Sequence, residues 1–165
     1  MTNMMIDFTD TQESQRWIAI NDDVMGGLSQ SRIELSPAAT ALFSGQLALE
    51  NNGGFASIRR RDDNYNLDAC TGVMLKVKGD GRTYQFRVKM DEQNDGIANR
   101  TLFATDTHQW QILTLPFDSF SASFRGRPVP GAPVLYPEQI RQIGFLLADK
   151  QRGLFHLEIA WIKSY

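Results

Sequence analysis

Val73-Met74-Leu75-Lys76-Val77-Lys78-Gly79-Asp80-Gly81-Arg82-Thr83-Tyr84-Gln85-Phe86-Arg87-Val88-Lys89 is the stretch that decides the fold class. Val73, Leu75 and Val77 alternate with Met74, Lys76 and Lys78, and Tyr84, Phe86 and Val88 alternate with Gln85, Arg87 and Lys89. A period of two sends successive side chains to opposite faces of a strand, one set to a core and the other to water. Between the runs stands Gly79-Asp80-Gly81. Glycine and aspartate accept the left-handed backbone of tight turns, so the spacing predicts a hairpin here.

The same alternation extends in both directions. Ser31, Ile33 and Leu35 form one such set, Ala41, Phe43 and Leu47 another, and Phe155, Leu157, Ile159 and Trp161 a third. Two runs are almost continuously apolar, Gln109-Trp110-Gln111-Ile112-Leu113-Thr114-Leu115 and Ile143-Gly144-Phe145-Leu146-Leu147-Ala148. They read as central strands covered on each side. Pro137-Glu138-Gln139-Ile140-Arg141 predicts a single helical turn, with proline preset for its first position. No long amphipathic helix and no internal repeat interrupts the pattern. Short strands separated by glycine and aspartate turns predict one all-β domain over 1–165, a sandwich or barrel. Its expected aromatic core is Trp17, Phe43, Phe86, Trp110, Phe145, Phe155 and Trp161.

A chain of 165 residues with 42% hydrophobic content suffices for a single core. Its 17 basic and 19 acidic residues leave a formal charge of −2, which argues against nucleic acid, whose phosphates call for a strong basic excess. Arg59-Arg60-Arg61 is followed at once by Asp62-Asp63 and reads as solvated charge at a strand end. Cys70 is the single cysteine, so no internal disulfide forms and a reducing compartment is expected. The first residues lack a basic region followed by an apolar one, and no run of about 18 apolar residues occurs. The expectation is a cytoplasmic protein without membrane insertion.

Catalytic motifs fail individually. Gly79-Asp80-Gly81-Arg82-Thr83-Tyr84 begins like a dinucleotide fingerprint, but Tyr84 replaces the last glycine and a strand follows in place of a helix. Gly27-Leu28-Ser29-Gln30-Ser31 lacks the second glycine of a nucleophile elbow. The stretch from Asp91 to Leu102 has Gln93 and Leu102 where a calcium loop needs strong oxygen ligands. His108 and His156 each lack a partner at ligand spacing, so neither a metal nor a cofactor is expected. Asp22-Asp23, Asp62-Asp63 and Asp80 all sit in apparent turns, where Asx capping accounts for them. No nucleophile and base can be paired, and a non-enzyme is expected.

Four blocks are more particular than generic turns: Trp17 followed by Asn21-Asp22-Asp23-Val24-Met25-Gly26-Gly27-Leu28-Ser29; Asn51-Asn52-Gly53-Gly54-Phe55-Ala56-Ser57-Ile58-Arg59; Lys78-Gly79-Asp80-Gly81-Arg82-Thr83-Tyr84; and Asp149-Lys150-Gln151-Arg152-Gly153-Leu154-Phe155. With Leu115-Pro116-Phe117 and Phe124-Arg125-Gly126, they resemble in order the complex I intermediate-associated protein 30 family, over roughly Asp7 to Ile162. The resemblance implies a galactose-binding-like jelly-roll β-sandwich, related in shape to carbohydrate-binding modules. Mitochondrial members of that family are assembly chaperones of respiratory complex I. This chain looks like a compact bacterial-type relative without a targeting extension, whose client need not be complex I.

Asn21, Asp22, Asn51, Asn52, Arg59, Asp80 and Arg82 are the candidate partner- or ligand-binding residues, because distant blocks repeat one chemistry: Asx and glycine turns with an arginine close by. Two roles stay open for them, a polar scaffold that locks loops and a recognition surface. The expected function is a protein-interaction or assembly-factor module with a protein client, for which a component of a respiratory complex is one candidate. The alternative is a carbohydrate-binding module, with Tyr65, Tyr84 or Tyr136 as its aromatic platform.

Overall fold

The structure, a computed structural model, describes residues 2–61, 63–90 and 96–165, and of Val24, Met25 and Asn52 it describes the backbone alone. Asp62 and residues 91–95, the first part of the calcium-loop-like stretch from Asp91 to Leu102, thus lie outside the described residues. The strands are β1 (Asn3–Asp7), β2 (Trp17–Asn21), β3 (Gln30–Leu35), β4 (Ala41–Leu47), β5 (Ala56–Arg60), β6 (Gly72–Lys78), β7 (Thr83–Lys89), β8 (Ala98–Ala104), β9 (Trp110–Pro116), β10 (Ser121–Phe124), β11 (Arg127–Pro128), β12 (Gln142–Leu147) and β13 (Gly153–Ser164). They form two antiparallel sheets, one in the order β3-β4-β13-β6-β9 with β1 added on β13, the other in the order β11-β10-β8-β7-β12-β5-β2. This is the jelly-roll β-sandwich expected from the sequence, and Pro137–Gln139 forms the expected short helical turn, a single 3-10 turn.

The core lies between the sheets. Phe43, Leu75, Val77, Leu157 and Ile159 enter it from the six-stranded sheet, and Phe86, Phe145, Ile58 and Leu147 from the seven-stranded one. Phe86 and Phe145 meet edge to face at 5.3 Å between ring centres, as do Phe43 and Phe155 at 5.0 Å. β12 is a central strand buried on both faces, as its apolar run indicates.

Four local expectations are corrected. Val77 and Tyr84 both enter the core, but β6 and β7 belong to different sheets, so Gly79-Asp80-Gly81 carries the chain across the sandwich instead of closing a hairpin. The run ending in Leu115 is β9, an edge strand that among the described residues pairs with β6 alone, and Trp110 on it is 40% exposed. Trp161 leaves the core because the register of β13 against β6 shifts between Ile159 and Trp161. The extra residue turns Trp161 and Lys163 outward, where the ammonium lies 4.3 Å from the ring centre, and hands the inward positions to Ile162 and Ser164. Finally, Arg60 is not solvated charge. Its Nε donates to Glu13 Oε2 at 2.7 Å and Nη2 to Glu13 Oε1 at 3.0 Å, and both side chains are buried beside Trp17.

Among the described residues no helix is long and apolar enough to cross a membrane.

Candidate functional site

The signature blocks build two polar hubs. In the first, Asp22 is fully buried and accepts hydrogen bonds from Ser29 Oγ (2.6 Å), Ser29 N (2.9 Å), Gly54 N (2.7 Å) and Phe55 N (3.3 Å). Burial raises its pKa, but the bonds from Ser29, Gly54 and Phe55 outweigh that and hold the carboxyl below its usual value. A Cβ on Gly27 or Gly53 would overlap the Asp22 side chain, so both positions need the missing side chain for the loops to close around the carboxylate. Asn21 Oδ1 accepts from Ser31 Oγ (2.6 Å) and Ser57 N (3.2 Å), tying β2 to β3 and β5. Asn51 takes a left-handed backbone (φ 58°), and its Nδ2 donates to the Gly26 carbonyl at 3.1 Å. The side chain of Asn52 lies outside the described residues.

The second hub centres on Arg82 and Asp80. Arg82 binds Asp149 with two prongs and also donates to the carbonyls of Gln151 and Leu154. Asp80 accepts from its own turn (Arg82 N, 3.2 Å), from Tyr84 Oη (3.0 Å) and from His156 N of β13 (3.0 Å). Tyr84 is fully buried, with burial and then Asp80 pushing its hydroxyl pKa up, so it is no sugar platform. Tyr65 is half-buried beneath the Arg60 guanidinium, and Tyr136 is exposed. His108 and His156, distant in sequence, stack at 5.4 Å, yet among the described residues no three potential ligands group as a metal site.

Arg59 does not join either hub. It is the next-to-last residue of β5, on the outward face of the seven-stranded sheet. The register there runs Ser121–Arg100–Arg87–Gly144–Arg59–Ile18 straight across β10, β8, β7, β12, β5 and β2. Partners in register share a face, so three arginines line one row, with Arg87 and Arg59 flanking a residue that has no side chain. Ser57, Lys89 and Gln142 complete a hollow over this row. Lys89 is almost fully buried, and desolvation, then repulsion from Arg59 and Arg100, pulls the Arg87 guanidinium down to about 10. Among the described residues the guanidinium groups of Arg87 and Arg100 have no hydrogen-bond or ion-pair partner.

Sequence reasoning missed Arg87, Arg100 and Gln142. Their signal, polar residues at the alternate positions of β7, β8 and β12, is visible in the chain. Which strands lie side by side is not.

The pattern of the family described as Complex I intermediate-associated protein 30 matches residues 6–159. The chain belongs to the complex I intermediate-associated protein 30 family. Among curated relatives, "Complex I intermediate-associated protein 30, mitochondrial" of Drosophila melanogaster is 27% identical over 183 residues, covering 98% of this chain and 62% of that protein. The protein of the same name in Mus musculus is 29% identical over 177 residues, covering 94% and 53%. The chain thus spans about half to three-fifths of the length of these relatives. Among solved structures, the family 11 carbohydrate-binding module from Clostridium thermocellum, in complex with a β-1,3-1,4-mixed-linked tetrasaccharide, superposes with a TM-score of 0.74. At 16% identity over 99% of this chain and 94% of that one, the likeness is one of fold. Within the complex I intermediate-associated protein 30 domain seen here, the blocks that carried the resemblance are those that close around Asp22 and Arg82.

Proposed function

We propose that this domain is a non-catalytic protein-binding module of the assembly-factor kind, whose client is a component of a membrane-associated respiratory complex. The observation that carries it is membership of the complex I intermediate-associated protein 30 family over residues 6–159, with relatives of that name in fly and mouse. In this reading Asn21, Asp22, Asn51, Asp80 and Arg82 hold the loops, because their polar atoms are engaged within the chain. Arg59 belongs to the recognition surface, on the outward face of the seven-stranded sheet.

A carbohydrate-binding reading draws on the fold shared with the family 11 module. The outward positions of β5, β12, β7 and β8 (Ser57, Arg59, Gln142, Gly144, Leu146, Gln85, Arg87, Lys89, Arg100 and Leu102) include no aromatic ring. Sugar rings stack on aromatic platforms, so that face favours a protein client.

Disrupting the gene in the source organism and resolving its respiratory complexes by native electrophoresis tests the proposal. Partial assemblies should accumulate, and re-expression of this chain should clear them. Normal assembly, together with retardation of the purified domain in gels containing mixed-linked glucan, would favour the carbohydrate reading instead.

A further inference from the structure

We propose that the arginine row on the outward face of the seven-stranded sheet docks an extended acidic segment of the client protein, its carboxylates engaging Arg87 and Arg100 beside the gap left by Gly144. The inference rests on the protein-binding reading above and names the chemistry of the partner.

Like charges directly opposite each other on neighbouring strands are destabilising, yet Arg87 faces Arg100 in register. Within the chain that repulsion has no compensation among the described residues, since neither guanidinium has a hydrogen-bond or ion-pair partner there. Arg87 also stands against desolvation, which lowers its pKa while leaving it cationic at neutral pH. An arrangement that costs folding and satisfies nothing internal fits a ligand of opposite charge.

The spacing fits an extended peptide. Arg100 and Arg87 stand opposite each other on adjacent strands, about 5 Å apart at their Cα atoms. Alternate residues of an extended chain point the same way at a spacing of about 6.5–7 Å, so carboxylates at positions i and i+2 fall within reach of these two long side chains. The hollow also encloses Gln142, whose Oε1 is buried without a partner. That oxygen wants a hydrogen-bond donor. A peptide supplies backbone N–H groups alongside its carboxylates, whereas a phosphodiester backbone supplies none. Ile18 at one end of the row and Leu102 beside the other are 51% and 59% exposed, giving apolar contacts to a peptide's intervening side chains. The chain's net charge of −2 adds to the case against a nucleic-acid surface.

The test follows the arginine Nε–Hε resonances of the full 15N-labelled chain by NMR. Four probes are compared: an acetylated Glu-Ser-Glu-Ser-Glu amide, its Gln-for-Glu counterpart, inorganic phosphate and a short DNA duplex. The acidic peptide should shift the Arg87 and Arg100 signals saturably, and the neutral peptide should not. Arg87→Gln should weaken binding at least five-fold while leaving Tm unchanged or higher, and Arg100→Gln gives the same reading if Arg87→Gln fails to fold. Phosphate or duplex binding as tightly as the peptide would overturn the proposal. So would absence of binding, or binding that leaves both arginine signals unmoved. Rescue of complex assembly by Arg87→Gln as fully as by the parent chain would defeat this inference and leave the assembly role standing. Normal assembly in the disrupted strain, with acidic-peptide binding intact, would defeat the assembly role alone.

Discussion

Arg82 and Asp149, 67 positions apart, close a two-pronged ion pair, with Nε 2.8 Å from Oδ2 and Nη2 2.6 Å from Oδ1. The pair joins the start of β7 to the loop between β12 and β13, with side chains only 11% and 9% exposed. Asp149→Ala strands a guanidinium that is largely screened from water, and breaking such a pair typically costs about 3–5 kcal/mol. Urea denaturation should show a loss in that range. A loss below about 1 kcal/mol would mean that the pair is effectively solvated.

Asp22 predicts a pH dependence. Its folded-state pKa lies below the unfolded value of about 3.9, so its stabilisation is present above that value and disappears as pH falls through the folded pKa. Asp22→Asn removes the charge and points amide hydrogens at sites where four donors converge. The variant should lose about 2 kcal/mol or more at neutral pH. The gap to the parent should narrow towards pH 2. Thermal melts across that range measure it, and a gap that stays constant with pH would contradict the assignment.

The bulge in β13 separates two aromatics on one strand. Phe155 is buried against Phe43 and Tyr84, and Phe155→Ala should cost about 3–5 kcal/mol. Trp161, turned outward by the register shift, stacks with Lys163 and should cost only about 1 kcal/mol on truncation. Equal losses in chemical denaturation would return Trp161 to the core.

Glu13 supports both Arg60 and the Trp17 indole, whose Nε1 donates to Oε2 at 2.9 Å. Burial pulls the Arg60 pKa down, but hydrogen bonds to Glu13, Tyr65 and Asp63 outweigh it and hold the group above its usual value. Glu13→Ala leaves a buried cation short of its main partner, with an expected cost of about 3 kcal/mol or more. The double variant Glu13→Ala, Arg60→Met should recover part of that loss. Full additivity in the double-mutant cycle would show that the two side chains do not interact.

How much was legible varies with the range of the interaction involved. Alternation within Val73 to Val77 and within Tyr84 to Val88 is a property of neighbouring residues, and the strands, their inward faces and most of the aromatic core follow from it. Trp161 escaped that reading because one inserted residue reverses the faces, and a bulge is set by the pairing partners β6 and β1. Trp110 escaped it because an apolar run looks the same in a central strand and at an edge.

The candidate site divides in the same way. Asn21, Asp22, Asn51, Asp80 and Arg82 announce themselves through turn chemistry, which is local, and the structure engages each of them in loop-closing bonds. The sequence by itself determined the all-β class, the single alternating core and the family, because strand periodicity and ordered motifs are written in consecutive residues. Only the tertiary structure decided that Gly79-Asp80-Gly81 crosses between sheets, that Asp149 answers Arg82, and that Arg59, Arg87 and Arg100 stand in one row. Each of these depends on which strands become neighbours. That choice is made by burying all the inward faces at once, and no short stretch of the chain contains it.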